Sequence, residues 1–255
     1  MTKLWDSPYQ TIAYAEGLAA VNVPVERHLT PAGDVYFTDG PAGSTAWELD
    51  AGVPLDTLQL VDRVAYKMRA TPSESLVADA YYTLALDPAT TVVANRFMRN
   101  VRKARAAMPG ARLEVAETGQ QLTAVIDAFE AHEERRDGMA RDEFGRRIRS
   151  LFYAGALLAY AMIDGDTVKG AACVLQSRTQ TNLRYYTSDR ATTVGHLLHL
   201  ALIEDLLGDR GFAVVDLSGI SPVSGDIKLR GIDEFKHQLG GTVTVFERYG
   251  GYAHM

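Results

Sequence analysis

An aspartate and a lysine near the end of the sequence stand in a pattern that is typical of a reactive site. Asp216 closes a buried β run over residues 214–217, and a turn of small residues follows it. A helical stretch then carries Lys236, and Gly240 and Gly241 end that stretch before a last β run. A lysine ammonium is a compact charge with three N–H donors, which suits an oxyanion or a phosphate. This order of residues predicts a fixed positive charge at the mouth of a cleft.

Each of these residue types also has a structural interpretation. Asp216 could bind an amine or act as a base, because ligand-facing residues often end the strands of open α/β sheets; it could equally be a turn or capping residue. Lys236 could be an exposed helix lysine. Lys228 and Arg230, earlier on the same helical stretch, could hold phosphate or simply be solvated. Phe235 could stack on a nucleic-acid base or fill the core.

A cluster of basic residues lies in the first half of the chain. No acidic residue occurs between positions 88 and 113, although the whole chain carries a net charge of −6. Helical spacings of three, three and one place four cations along one side of a predicted helix. They are Arg96, Arg99, Arg102 and Lys103. The cluster predicts either a polyanion contact or an ordinary solvated helix face.

The composition excludes several classes of protein. The 255 residues are 47% hydrophobic and 23% charged, which is ordinary for a globular chain, and the acidic balance argues against a protein that coats nucleic acid. The single Cys173 forms no internal disulfide, and His196 and His199 lack a trustworthy metal spacing. The sequence lacks an apolar run long enough for a bilayer and the apolar core of a secretion signal. We therefore expect a cytoplasmic protein without metal or membrane contact.

The hydrophobic pattern predicts a mixed α/β (α+β) fold in two parts. A reduced N-terminal subdomain, residues 1–110, ends in the basic helix, and a fuller C-terminal domain covers residues 111–255. The order predicted for the second part is β-α-α-β-β-β-α-β-α-β, which is the order of the GNAT acyltransferase fold. The elements predicted for the first part are helices over 11–20, 55–69 and 95–107, and strands over 21–28, 34–38 and 81–86, with Pro24 restricting its strand to an edge.

The chain from 81 to 249 resembles the Fem (FemABX) family of aminoacyl-tRNA-dependent transferases, whose members carry two GNAT-type halves. Most of the resemblance lies in the C-terminal motifs, and the basic helix adds to it; the segment 39–42 also resembles part of the family's first half. The C-terminal motifs are Asp216-Leu217-Ser218-Gly219, Phe235-Lys236 and Leu239-Gly240-Gly241, followed by a closing strand. In this chain the first half is short, and it lacks the coiled-coil insertion that some family members have.

The resemblance implies transfer of an aminoacyl group from aminoacyl-tRNA to an amine, with tRNA as co-substrate and no other cofactor. It assigns Lys236 to the oxyanion of the tetrahedral intermediate, with Asp216 beside it. It further implies a substrate site that includes Phe235, Ser218, Gly219, Lys228 and Arg230, and contact of Arg96, Arg99, Arg102 and Lys103 with the tRNA acceptor arm. Small family members act in antibiotic pathways such as that of pacidamycin, so we expect a small peptide or peptidyl-nucleoside acceptor.

Two other functions compete with this one. A CoA-dependent N-acyltransferase would share the fold, but such enzymes bind pyrophosphate with a glycine-rich turn at a helix start. The corresponding segment, residues 190–196, carries one glycine, Gly195, and a threonine pair, which counts against CoA. A binding module that kept the fold without catalysis is the third hypothesis.

Overall fold

The computed structural model describes residues 6–40, 43–58, 60, 63–69, 80–131, 139–189, 193–222 and 226–250. Within these ranges, six α-helices accompany one mixed sheet of eleven strands. The helices are α1 (Ile12–Ala19), α2 (Asn95–Ala107), α3 (Gly119–Ala131), α4 (Arg141–Tyr153), α5 (Val194–Ile203) and α6 (Ile227–His237). A π-helical turn, Glu204–Asp209, extends α5.

The strands follow the predicted alternation with helices in the second half of the chain. The first five are β1 (Val25–Thr30), β2 (Gly33–Gly40), β3 (Gly43–Leu49), β4 (Arg63–Met68) and β5 (Ala80–Leu86). The other six are β6 (Arg112–Val115), β7 (Leu157–Asp164), β8 (Thr167–Gln176), β9 (Gln180–Ser188), β10 (Val214–Ile220) and β11 (Thr242–Gly250). From β6 to β11 the order matches the predicted GNAT arrangement.

The sheet is continuous across the predicted boundary at residue 110. Its strand order is β1-β2-β3-β4-β11-β5-β10-β9-β8-β7-β6. Strand β11 lies between β4 and β5 and pairs with both in antiparallel fashion, and β5 also pairs with β10. Strands from the two predicted parts therefore alternate at the centre of the sheet.

The first half of the chain departs from the predicted elements at β3 and β4. The helix predicted over 55–69 is wrong: the chain forms a short 3-10 turn, Leu55–Thr57, and then strand β4. Backbone pairing of β4 with β3 and β11 outweighs the local apolar period, since tertiary context overrides propensity. Strand β3 was not predicted.

The edge position expected near Pro24 is confirmed, because β1 begins at Val25 and is the outermost strand of the sheet. The predicted turn at 39–41 extends onto residue 41, outside the described residues.

Apolar side chains bury the two faces of the central sheet under separate helix layers. One face packs against α2 and α5 through residues such as Phe97, Leu198 and Val215. The opposite face packs against α3, α4 and the segment before α1, through residues such as Phe129 and Tyr9. Because side chains alternate across a strand, the neighbours of Val215 point away from α5. Asp216 therefore belongs to the second face.

The glycine pair between α6 and β11 meets a steric requirement. Gly240 and Gly241 have φ of +81° and +94°. A Cβ at Gly240 would lie 2.6 Å from the carbonyl oxygen of Thr90, and one at Gly241 would lie 2.7 Å from that of Ala85. Only glycine accommodates this close passage, so the pair lets the chain leave α6 and enter the gap beside β5.

Candidate functional site

A β-bulge in β10 opens the sheet at its centre. Strands β9 and β10 run parallel and pair at only three positions, Val214 to Asp216 opposite Gln180 to Asn182. On the other side, the register between β10 and β5 shifts between Asp216 and Gly219. Ser218, within the bulge, has φ of +64°. A bulge bends its strand and re-aims the side chains around it, so the described strands β9 and β10 diverge beyond Asp216.

Asp216 is a buried carboxyl group beside this bulge, with 2% of its surface exposed. Its Oδ1 accepts a hydrogen bond from the backbone N–H of Ser218 at 2.6 Å. Its Oδ2 is buried and has no hydrogen-bond partner among the described residues. Burial raises the pKa of Asp216 from 3.8 to about 7, against the opposing effects of the Ser218 N–H, nearby Thr83 and Asn182, and the charge of Lys236. The group can therefore exchange a proton near neutral pH.

Lys236 reaches the same bulge from α6. Its side chain is buried, at 7% exposure, and its Nζ donates to the carbonyl oxygens of Gly219 at 2.6 Å and Ser218 at 3.3 Å. An exposed helix lysine would not make these contacts, so that interpretation does not apply. The bulge and α6 together hold an ammonium next to a buried carboxyl group.

Ser218 and Gly219 belong to this centre mainly through their backbones. Their carbonyls bind Lys236, and the Ser218 hydroxyl lies 3.4 Å from the hydroxyl of Tyr81. A Cβ at Gly219 would lie 3.2 Å from the Tyr81 ring. The predicted small-residue turn is therefore a bulge that presents carbonyls to the lysine.

Phe235, the residue before Lys236 on α6, packs against aromatic rings of the core. Its ring centroid is 5.4 Å from that of Phe97, 4.9 Å from His196 and 4.8 Å from His199. This packing agrees with the core interpretation of Phe235. Base stacking by Phe235 stays a prediction.

Lys228 and Arg230 are exposed on the first turns of α6. The backbone N–H of Lys228 donates to the Asp226 side chain, which caps the helix. Among the described residues, neither basic side chain has a hydrogen bond or ion pair with Asp216 or Lys236. The structure therefore leaves their predicted phosphate contact as a prediction.

The basic helix predicted from the sequence is α2, with the predicted bounds. Phe97, Val101 and Ala104 are buried against the sheet, and the four predicted cations, Arg96, Arg99, Arg102 and Lys103, are exposed. In the part of the chain that the structure describes, none of the four makes an ion pair. Because the rings of Phe97 and Phe235 touch, this cationic face belongs to a helix that packs against the lysine-bearing α6.

A second buried carboxyl group, Glu48, was not predicted. Glu48 lies on β3 with 1% exposure and a φ of +54°, at a register shift between β3 and β4. Its carboxylate accepts hydrogen bonds from the Ser7 hydroxyl at 3.1 Å and the Asn182 amide at 3.5 Å. Asn182 stands opposite Asp216 in the sheet. The polar centre therefore extends from β10 through β9 to the N-terminal part, where the buried hydroxyl of Thr83 also lacks a partner among the described residues.

Comparison with known families identifies the class of this protein. The sequence model of the acetyltransferase (GNAT) domain matches residues 93–237, from just before α2 to the end of α6. The match covers more than half of the chain, so the protein belongs to this family. A search of curated proteins gives no match.

Solved structures support the same fold over almost the whole chain. FemX aligns with a TM-score of 0.63 and 11% identity, covering 93% of this chain and 91% of FemX. The C-terminal domain of a putative lysylphosphatidylglycerol synthetase from Agrobacterium fabrum aligns at 0.61 and 15%, covering 96% and 86%. A conserved protein of unknown function from Bacteroides thetaiotaomicron aligns at 0.64 and 8%, covering 93% and 90%. At these identities the likeness shows the fold, which confirms the predicted GNAT architecture.

Within the described ranges, no helix combines the length and the apolar character that crossing a bilayer requires.

Proposed function

We propose that this protein transfers an aminoacyl group from aminoacyl-tRNA to the amine of a small peptide-like acceptor. The observation that carries the proposal is the centre at the β10 bulge: a buried carboxyl group with a neutral-range pKa beside a buried lysine. An acyl transfer to an amine needs a proton acceptor and a positive charge near the carbonyl oxygen. Asp216 and Lys236 supply these two groups.

The reaction proceeds by attack of the neutral amine nitrogen on the ester carbonyl carbon. A C–N bond forms while the carbonyl oxygen gains negative charge, which the Lys236 ammonium stabilises from its fixed position at the bulge. Asp216 takes the proton that the amine loses. The C–O bond of the ester then breaks, and the tRNA oxygen that leaves takes the proton back from Asp216. Charge and atoms balance without a further cofactor.

The cationic face of α2 supports tRNA as the donor. Its four exposed cations have no acidic partner in the described part of the chain, and phosphate contacts by Arg and Lys dominate nucleic-acid affinity. Helix α2 packs beside α5, and its Phe97 ring touches that of Phe235, the residue before Lys236. A tRNA bound along α2 would thus lie beside the helix that carries Lys236. Among the structural neighbours, the putative lysylphosphatidylglycerol synthetase is named for a lysyl product, which agrees with transfer of an aminoacyl group.

A CoA-dependent N-acyltransferase is the second candidate, because the matching family is described as an acetyltransferase. In this chain α5 starts at Val194 after a Thr193 cap, and residues 190–192, at the position of the pyrophosphate-binding turn in such enzymes, lie outside the described residues. The single Gly195 gives that segment fewer glycines than a pyrophosphate-binding turn uses.

One incubation separates the two donors. Purified protein is mixed with a panel of dipeptides and either a pool of aminoacylated tRNAs or acetyl-CoA, and the products are identified by mass spectrometry. We expect aminoacylated dipeptides from the tRNA sample alone, and their loss after treatment of the tRNA with RNase. Full transfer after RNase treatment, or acetylated dipeptides alone, would reject the tRNA proposal.

A further inference from the structure

Three half-buried aromatic rings form a corner on the N-terminal side of the centre. We call Trp47 on β3, Tyr66 on β4 and Tyr81 on β5 the aromatic corner. Trp47 and Tyr66 stack in parallel, with centroids 4.5 Å apart and planes at 1°. The Tyr81 ring stands across both, at 68° to Trp47 and 69° to Tyr66, with centroid distances of 5.8 and 6.3 Å. Two aromatic walls thus meet at a steep angle.

Negative groups lie at the end of the corner that faces the centre. The Tyr81 hydroxyl is 3.4 Å from the Ser218 hydroxyl in the bulge. Burial raises the pKa of Tyr81, and the negative charges of Glu48 and then Asp216 raise it further; Ser218 and Arg184 oppose this effect. Both carboxyl groups therefore act on the same ring, and the Oδ2 of Asp216 is buried without a partner among the described residues.

We infer that the aromatic corner and Asp216 form a subsite that selects a primary ammonium group, the protonated form of the acceptor amine. Aromatic walls at steep angles bind organic cations through the negative faces of their rings, as in aromatic cages. The Oδ2 of Asp216 accepts a hydrogen bond from one N–H of the ammonium group. This inference rests on the proposed function, since it assigns that reaction's acceptor to the N-terminal half of the sheet.

The subsite also connects binding to chemistry. An ammonium nitrogen has no lone pair for attack. Its first proton passes to Asp216 and from there to water, which restores the carboxylate that accepts the second proton during the attack. A neutral or anionic molecule of the same shape lacks the charge that the rings and carboxylates attract.

Fluorescence of Trp47 tests this binding without the donor. The chain has two tryptophans, so Trp5→Phe leaves Trp47 as the reporter. In that variant, 2-phenylethylamine, 2-phenylethanol and 3-phenylpropionate are titrated at pH 7.5 at constant ionic strength. We expect the ammonium to change the emission and to bind about fivefold or more tightly than the alcohol, with the carboxylate weakest. Equal affinities, or tightest binding of the carboxylate, would overturn the inference.

Matched variants at Tyr66 test whether the ammonium binds at the aromatic corner. Tyr66→Leu in the same background should weaken 2-phenylethylamine binding several-fold, and Tyr66→Phe, which keeps the ring, should bind like its parent. Tyr153→Leu removes an exposed aromatic ring from α4 and serves as the control. Unchanged affinity in a folded Tyr66→Leu variant, checked by circular dichroism, would contradict the assignment.

The outcome is separable from the proposed function. Ammonium-selective binding with no transfer from aminoacyl-tRNA would keep the subsite and reject the reaction. Transfer to dipeptides without ammonium-selective binding would support the reaction and reject the subsite.

Discussion

At the scale of single residues, the central feature is a carboxyl group and an ammonium group that are both buried at the β10 bulge. Asp216 pairs in the sheet with Asn182 and accepts a hydrogen bond from the bulge, while Lys236 donates to the bulge carbonyls. Burial opposes the charge on Asp216, and Lys236 favours it. The balance leaves the carboxyl group close to its titration point at neutral pH.

Asp216 should therefore make both activity and stability depend on pH. In the folded state the carboxyl group of Asp216 keeps its proton up to about pH 7, whereas in the unfolded state it loses the proton near pH 3.8. Between these values the folded state binds more protons, so the free energy of unfolding should fall as pH rises from 4 to 7. Urea unfolding of Asp216→Asn over this range should show a flatter dependence than the parent protein.

The rate of transfer should depend on pH in the opposite direction to stability and rise as the pH increases. Because the deprotonated carboxylate is the base, kcat/KM should rise through about pH 7 in the parent and lose that step in Asp216→Asn. A variant whose pH profile matches the parent would show that another group accepts the proton.

Lys236 should be needed for the rate rather than for folding alone. Lys236→Met keeps the length of the side chain and removes its charge, so kcat/KM for transfer should fall about a hundredfold, the usual effect of one lost oxyanion contact. Glu234→Gln changes an exposed charged residue on the same helix and should have little effect. Similar rates in the two variants would refute the assignment of Lys236.

At the scale of elements, α2 combines a buried apolar face with a cationic face. The buried residues Phe97, Val101 and Ala104 anchor it, so changes on the exposed side leave the core intact. This separation allows the charge to be tested without unfolding the helix.

Replacing Arg99 and Arg102 by alanine should weaken tRNA binding, because each lost phosphate contact reduces affinity and its salt dependence. We expect a loss of about tenfold or more in fluorescence anisotropy with labelled tRNA, and a shallower slope against salt. Arg146→Ala, on the exposed side of α4, is the control. An unchanged salt slope in the double variant would argue against α2 as the contact.

The elements also show what the sequence could predict. Helix α2 and the strands from β6 onward have strong periods and clear turn residues, so their order was correct. Strand β3 and Glu48 could not be found in this way. The burial of Glu48 depends on Ser7 and Asn182, which are distant along the chain, and no local pattern encodes such contacts. The aromatic corner was missed for the same reason, since its rings come from three strands.

At the scale of the whole molecule, the two predicted parts share one sheet. The family match begins at residue 93 and so includes α2, which the predicted boundary at 110 places with the N-terminal part. The site likewise combines Tyr81 and Thr83 from β5 with Asp216 from β10. The proposed activity therefore requires both parts of the chain.

Fragments 1–110 and 111–255 should not fold independently. Without the second fragment, β4 and β5 lose β11, and without the first, β10 and β11 lose β5. Each fragment alone should give no cooperative thermal transition by circular dichroism. A sharp transition in either fragment would mean that the boundary at 110 separates autonomous domains.

The position of β11 also has a consequence during synthesis on the ribosome. The strand that fills the gap between β4 and β5 is the last of the described strands to be made. Until it emerges, both of its neighbours present unpaired backbone edges, which are prone to association with other chains. A nascent chain would thus stay vulnerable to aggregation until β11 has left the ribosome, and chaperone binding should concentrate on β4 and β5 during that interval.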